Sequence, residues 1–365
     1  MTPLRMHEVH AMLGGRFSEL AGMEIVADYG DPMAEYQALR RAVAVGDLGF
    51  RGRLCLTGGD RVRFLNGQVT NDVRALEAGQ GCAAAFCTPR GRLVADVVVH
   101  ALSGELLLDF EPGLTALLRE RLEHHIVAED VQVVEVAPHY GLLTVQGPRT
   151  AGLVQGLGLF PGLPGRRLDV LTGEDATLGE LYLIHRPRAG FPGADLFVPV
   201  ESQEAVLDRL VAIARDLGGG LAGFDALDLA RFEAGIPRFP VDMDGTNLPP
   251  EAGLDREAIS YTKGCYTGQE TIARIRTYGQ VTKALRGLRL PDGNEPMPEK
   301  GDKLYRDGRE AGYVTSAKWS PALGARLALG YVRKESFAPG TQLLLKRDGT
   351  ETVVRVVDLP FPTDA

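Results

Sequence analysis

At 365 residues, with 44% hydrophobic and 24% charged side chains, the chain is long enough to bury more than one core without disulfide or metal staples. Its 40 Lys and Arg against 48 Asp and Glu give a formal charge of −8, which argues against a nucleic-acid or membrane surface as the main partner. The first thirty residues scatter Arg5, His7, Glu8, His10, Arg16 and Glu19 among the apolar positions, and no later stretch is uncharged for a bilayer's thickness, so a soluble, cytoplasmic protein is expected.

The 45 Gly and 22 Pro imply many tight turns between short elements, an α+β protein and not a helical bundle. Residues Ala34 to Val45 carry a helical pattern, and Asp60 is expected to open and cap a second helix through Leu65. Cys82 and Cys87 sit among small apolar residues and, like Cys55, read as buried, inert thiols; the four cysteines show no C-x-x-C pairing and fit a reducing compartment. Leu93 to Val99 and Glu105 to Phe110 read as strands of a hairpin joined through Leu102-Ser103-Gly104, which places Asp96 inside a strand.

Leu114 to His125 reads as a helix with Leu117, Leu118, Leu122 and His125 on one side, followed by strands at Val131 to Val136 and Gly141 to Gln146. Leu153 to Gly179 loosens into a helix and a variable connection. Strands at Leu181 to His185 and near Leu196 to Val200 precede a helix from Gln203 to Leu217. The last eighty residues hold six short strands, at Ala284–Leu290, Lys303–Tyr305, Glu310–Lys318, Leu327–Arg333, Gln342–Lys346 and Glu351–Val357. Asp307-Gly308 and Asp348-Gly349 punctuate them, the pattern of a small antiparallel barrel or sandwich. The expected division is 1–282 and 283–365.

One segment stands apart: Lys263-Gly264-Cys265-Tyr266-Thr267-Gly268-Gln269-Glu270. A thiol between two glycines can occupy a tight, accessible turn, and a neighbouring Lys263 favours thiolate, the form that attacks, oxidises or binds metal. A buried, inert cysteine is the competing reading. Seven scattered histidines supply no H-E-x-x-H face, and the nearest approach, His7-x-x-His10, lacks further ligands, so no stably bound metal is expected. Walker loops, G-x-G-x-x-G after a strand and G-x-S-x-G elbows are absent, which removes the common nucleotide and hydrolase readings.

The cysteine segment resembles the K-G-C-Y-x-G-Q-E signature of the YgfZ family, a branch of the glycine-cleavage T-protein-like superfamily. Phe64-Leu65-Asn66-Gly67-Gln68-Val69-Thr70-Asn71-Asp72-Val73, Gly91 to Asp96, Arg231 to Pro237, Pro249 to Leu254, Tyr313 to Ser316 and Leu329 to Val332 extend the resemblance along nearly the whole chain. It implies pseudo-repeated α/β subdomains around a central folate site, closed by a C-terminal antiparallel β-barrel. It also implies tetrahydrofolate, or a one-carbon derivative, as ligand, and a role in supporting iron–sulfur cluster assembly or repair and iron–sulfur enzymes, including tRNA-modifying ones. Direct nucleic-acid binding is not expected. Cys265, Lys263 and Asp96 become the candidate catalytic residues, with Cys265 as a redox thiol or a transient cluster ligand. Asn66, Asp96, Asp195, Tyr266, Gln269 and Arg274 become candidate folate contacts.

The competing reading is the aminomethyltransferase of glycine cleavage, where a strand carboxylate near the folate nitrogens assists one-carbon transfer. Against it, Ala95-Asp96 stands where transferases have two adjacent acids, Ala194 where they have a pterin-binding glutamate, and Leu227 where they have an arginine. Asp195 can compensate for Ala194 only if it faces the site, although a strand neighbour is expected to point the other way. Arg274, Arg276, Lys283 and Arg286 suit either the carboxylates of a folate tail or a solvated basic face. Trp319 is expected to pack between domains.

Overall fold

The computed structural model describes residues 1–279, 281–293, 296–347 and 349–362, so the expected turn residue Asp348 lies outside it. The chain divides into two compact units, Met1–Ala84 with Asp96–Ala230, and Ala85–Ala95 with Arg231–Ala365.

The first unit opens with a short helix, His7–Met12, and an antiparallel pair, Arg16–Leu20 with Met23–Asp28. Both imidazoles of His7-x-x-His10 are spent on structure. His10 is fully buried, its Nε2 2.8 Å from the Asp47 carboxylate and its Nδ1 2.9 Å from the Tyr29 hydroxyl, while His7 lies 2.9 Å from Glu24. A buried carboxylate needs such partners, because removing one leaves an uncompensated charge. The helix Pro32–Arg41 begins where Asp31 Oδ1 accepts the Ala34 amide at 2.9 Å, with Pro at its first position. It stops short of Val45, which belongs to a buried strand, Ala44–Asp47.

Two sheets dominate this unit. One runs Val170–Asp175, Gly179–His185, Gly193–Pro199, Tyr140–Gln146, Ala44–Asp47 and Gly220–Leu221, antiparallel until the last, parallel pair. Helices Thr150–Leu157 and Gln203–Asp216 cover one of its faces, burying Val45, Val145, Leu153, Leu196, Leu207 and Leu210. The other sheet runs Gly81–Cys87, Leu93–Ala101, Leu106–Phe110, Gly52–Thr57 and Gln132–Glu135. Leu107 of this second sheet packs with Leu142, Ile184 and Phe197 of the first, so the two sheets face each other.

Three local expectations are corrected. Asp60 does not cap the helix Arg61–Gln68 with its side chain; its Oδ2 accepts the Asp130 amide at 3.1 Å instead. Leu117 is 49% exposed, and only Leu118 and Leu122 of the helix Thr115–His125 are buried. Trp319 is 52% exposed and so fills no core.

In the second unit the six expected strands close into an antiparallel barrel, in the order Lys283–Arg289, Ala325–Arg333, Arg309–Ser320, Lys303–Arg306, Gln342–Arg347 and Thr350–Val357. Asp307 and Gly308 both have positive φ, 50° and 76°, which is what a two-residue turn matching the strand twist requires. Buried Asp242 ties Arg231 (2.5 Å) to Thr315 (3.0 Å) and Ser316 (2.5 Å), so these stretches of the sequence resemblance hold structure together.

Replacing His10 with Ala is expected to cost about 3 kcal/mol or more, by stranding Asp47 and the Tyr29 hydroxyl. Chemical denaturation at pH 7 measures this loss.

Candidate functional site

Charged residues stand two apart in or just beyond strands that are otherwise apolar, at Arg51 and Arg53, Asp109 and Glu111, and Arg186 and Arg188, while Asp96 and His100 stand four apart within one strand. Cross-strand register sets Val98 opposite Asp109, and Asp109 opposite Arg53. Alternation then puts Asp96, His100, Asp109, Glu111, Arg51 and Arg53 on the same face as Leu107, the face turned to the other sheet. That other sheet answers with Thr144 and Asp195, paired across adjacent strands, and with Arg186 and Arg188 just beyond Gly179–His185.

The result is a buried ionic layer. Arg51 Nε lies 2.7 Å from Asp109, and its Nη1 is held by Glu111. Arg188 bridges the two sheets, its Nη2 2.8 Å from Asp109 and 2.6 Å from Asp195. Thr144 donates to Asp195 at 2.8 Å, and Gln146 donates to Thr144 at 2.8 Å. Arg186 has only a loose approach to Asp109, at 3.9 Å.

Burial opposes the charged form of Asp109, but Arg51, Arg188 and Arg186 outweigh it and hold the carboxyl far below its usual range. Arg186 shows the reverse balance: burial, with Arg188 adding repulsion, lowers it to about 10. Burial lowers His100 to about 4, and its Nδ1 donates as a neutral ring to the Leu168 carbonyl at 3.1 Å.

Among the carboxyls of this layer Asp96 stands apart. Its Oδ1 is sealed from solvent and has no hydrogen-bond partner. Burial, with Glu111 adding repulsion, pushes the carboxyl up to about 6 against the pull of Arg51 and Arg186. A carboxyl that exchanges its proton near neutrality can act as acid or base there.

Asp195 and Ala194 face opposite ways, in the reverse sense to the expectation from sequence. Ala194 lies in the apolar core with Val145, so a longer acid there would enter that core, whereas Asp195 joins the charged layer. Arg188 and Thr144 already occupy both oxygens of Asp195. Leu227 is a packing residue between two apolar clusters. Asn66 is buried and its Oδ1 accepts the Val73 amide at 2.9 Å, pinning the loop after its helix.

In the second unit, Lys263, Cys265 and Tyr266 lie on one loop, and Gln269 and Arg274 on the helix Gln269–Tyr278 that follows it. Cys265 is exposed and reduced, whereas Cys55 and Cys87 are buried. Lys263 is buried with its ammonium 5.2 Å from the Tyr266 ring centre, and burial pushes the Tyr266 hydroxyl well up. Arg274 is 70% exposed and pairs with Glu270 at 2.6 Å. Gly268 has φ +89°, and a Cβ there would meet the Thr88 carbonyl at 2.6 Å and Cys87 at 3.0 Å. The glycine of the motif therefore seats the cysteine loop against the hairpin tip 88–91. Gly264, by contrast, borders open space. Among the described residues no group of three or more His, Cys, Asp and Glu side chains is arranged to hold a metal ion, and no helix is long and apolar enough to cross a membrane.

The GCVT N-terminal domain family matches residues 6–263, and the glycine cleavage T-protein C-terminal barrel domain matches residues 283–362. The chain belongs to the glycine-cleavage T-protein-like superfamily. Among T-protein-like relatives, the aminomethyltransferase of Thermotoga neapolitana is 29% identical over 370 residues, covering 99% of this chain and 97% of the relative. That of Symbiobacterium thermophilum is 28% identical over 375 residues, covering 99% and 96%. The crystal structure of aminomethyltransferase T of the glycine cleavage system from Bartonella henselae superposes with a TM-score of 0.87 at 21% identity, covering 99% of this chain and 98% of that one, a likeness of fold.

Sequence reading singled out Asp96 and Asp195 but missed Arg51, Asp109, Glu111, Arg186, Arg188 and Thr144. The signal was charge at i and i+2 at the ends of apolar strands.

Because folding raises the proton affinity of Asp96, its contribution to stability is fully present below about pH 4 and is lost as pH rises through about 6. Asp96→Asn is therefore expected to raise the melting temperature at pH 7–8, by up to about 3 kcal/mol of stability, with no gain at pH 4. Gly268→Ala is expected to cost about 1–3 kcal/mol from backbone strain and to loosen the cysteine loop, measurable as faster modification of Cys265 by a thiol reagent.

Proposed function

We propose that this protein binds tetrahydrofolate, or a one-carbon derivative, through residues 1–282, with 283–365 as the barrel domain. In this reading it works in the cytoplasm as an accessory protein for iron–sulfur cluster assembly or repair, serving iron–sulfur enzymes that include tRNA-modifying ones. The observation that carries the reading is Cys265: an exposed thiol on a loop built by the K-G-C-Y-x-G-Q-E segment. An accessible cysteine can form a mixed disulfide with a client or ligate iron transiently, which buried thiols cannot.

A reduced folate carries its one-carbon unit on ring nitrogens. The acceptor chemistry suits such a ligand at Asp96, whose Oδ1 has no hydrogen-bond partner within the protein. They suit it less at Asp195, whose oxygens are occupied by Arg188 and Thr144. Asn66, Tyr266, Gln269 and Arg274 remain proposed contacts, and Lys263 a proposed partner of the thiol.

A second reading is aminomethyl transfer to tetrahydrofolate. It is favoured by the name shared by the curated relatives and by the proton affinity of Asp96, which suits a group that takes up and returns the proton of an amine. The relatives weigh toward transfer, and the exposed cysteine with the saturated Asp195 weighs toward the accessory role. In a strain lacking the gene, Cys265→Ala is expected to fail to restore the activity of iron–sulfur enzymes while Asp96→Asn restores it in part. Full restoration by Cys265→Ala, together with donor-dependent formation of methylenetetrahydrofolate by the purified protein, would establish the transferase instead.

A further inference from the structure

In a layer that holds Arg51, Arg186 and Arg188, Asp96 Oδ1 bonds none of them. The reason lies in how the acids divide the cations. Arg51 directs Nε and Nη2 to Asp109 and Nη1 to Glu111. Arg188 is divided between Asp109 and Asp195, and Arg186 stands nearest to Asp109. Glu111 and Arg51 follow and precede the strand positions Phe110 and Gly52, which pair with each other, and continued alternation brings both onto the face that carries Asp96.

We propose that Glu111 is a positioning residue that keeps Arg51 away from Asp96 and so sets the pH at which Asp96 exchanges its proton. This rests on the reading of Asp96 as the proton-handling group of the folate site and names what governs it. Glu111 acts in two ways: it holds Nη1 of Arg51 in an ion pair, and it presents a negative charge to Asp96 from just beyond the strand Leu106–Phe110. The charged groups that face Asp96 are Glu111, Arg51 and Arg186, with Asp109, Arg188 and neutral His100 farther along the same layer. Removing the charge of Glu111 takes away the repulsion and frees one arm of Arg51 to pair with Asp96.

The test is a carbon-13 NMR titration of aspartate side-chain carboxyls in the ligand-free protein, with Asp96→Asn identifying the resonance. In Glu111→Gln the midpoint of Asp96 is expected to fall by one pH unit or more, about a tenfold loss of proton affinity. In Glu111→Asp, which keeps the charge, most of the wild-type midpoint should return. Far-ultraviolet circular dichroism checks that each variant is folded; should Glu111→Gln fail to fold, lowering of the midpoint in Glu111→Asp toward that of an exposed aspartate would overturn the proposal. An unchanged midpoint in folded Glu111→Gln would do the same. Because the titration needs no ligand, its failure is separate from failure of the folate reading, which would show as absence of tetrahydrofolate binding with the titration shift intact.

Discussion

A carboxylate removed from water must be paired or neutralised, and the first unit is organised around that demand at Asp109. Arg51 of its own sheet and Arg188 from beside the facing sheet meet on this one group. The energetic logic is asymmetric: the intact layer contributes little net stability over an apolar one, but loss of a single member leaves a buried charge without a partner, at a cost of about 3–5 kcal/mol. The layer thereby fixes the register of the facing sheets more than it strengthens them. It also fixes the environment of Asp96, the one carboxyl of the layer left with an oxygen that nothing satisfies. A buried carboxylate oxygen with no partner marks a candidate ligand position or a group with a proton to exchange, whereas the Nε of Arg53, also unpartnered in this layer, belongs to a side chain whose Nη1 and Nη2 donate to backbone carbonyls.

How much of this could be read from the sequence differs by element. The barrel was legible strand by strand, because short alternating runs separated by Asp307-Gly308 and similar turns leave few other folds. The strands Arg16–Leu20 and Val170–Asp175 were not read, since the first carries mostly exposed residues and the second emerges from a stretch rich in glycine and proline. Gly81–Cys87 was read only as a home for two thiols, because Gly, Ala and Cys carry little strand signal.

The charged layer was missed for a more general reason. In an antiparallel sheet, polar residues at every second position ordinarily mark the face toward water. Arg51, Arg53, Asp109 and Glu111 follow that pattern, and only the second sheet opposite them turns a solvent face into an interior. The same effect reversed the reading of Ala194 and Asp195: alternation showed that they point apart, but not which of the two faces was covered by helices and which by the ionic layer. The cysteine motif was legible as a motif, yet its glycines proved unequal. Gly268 is required by close approach and positive φ, and Gly264 is not.

Asp96 with its unpartnered oxygen and Cys265 with its exposed thiol are separate chemical resources, and a reduced folate is the ligand proposed from the resemblance and the unsatisfied carboxyl. Calorimetric titration of tetrahydrofolate into anaerobically purified protein tests this most directly. The account predicts saturable micromolar binding that is weakened at least tenfold by Asp96→Asn and left unchanged by Cys265→Ala. Absence of binding to the wild-type protein, or equal binding to Asp96→Asn, would contradict it.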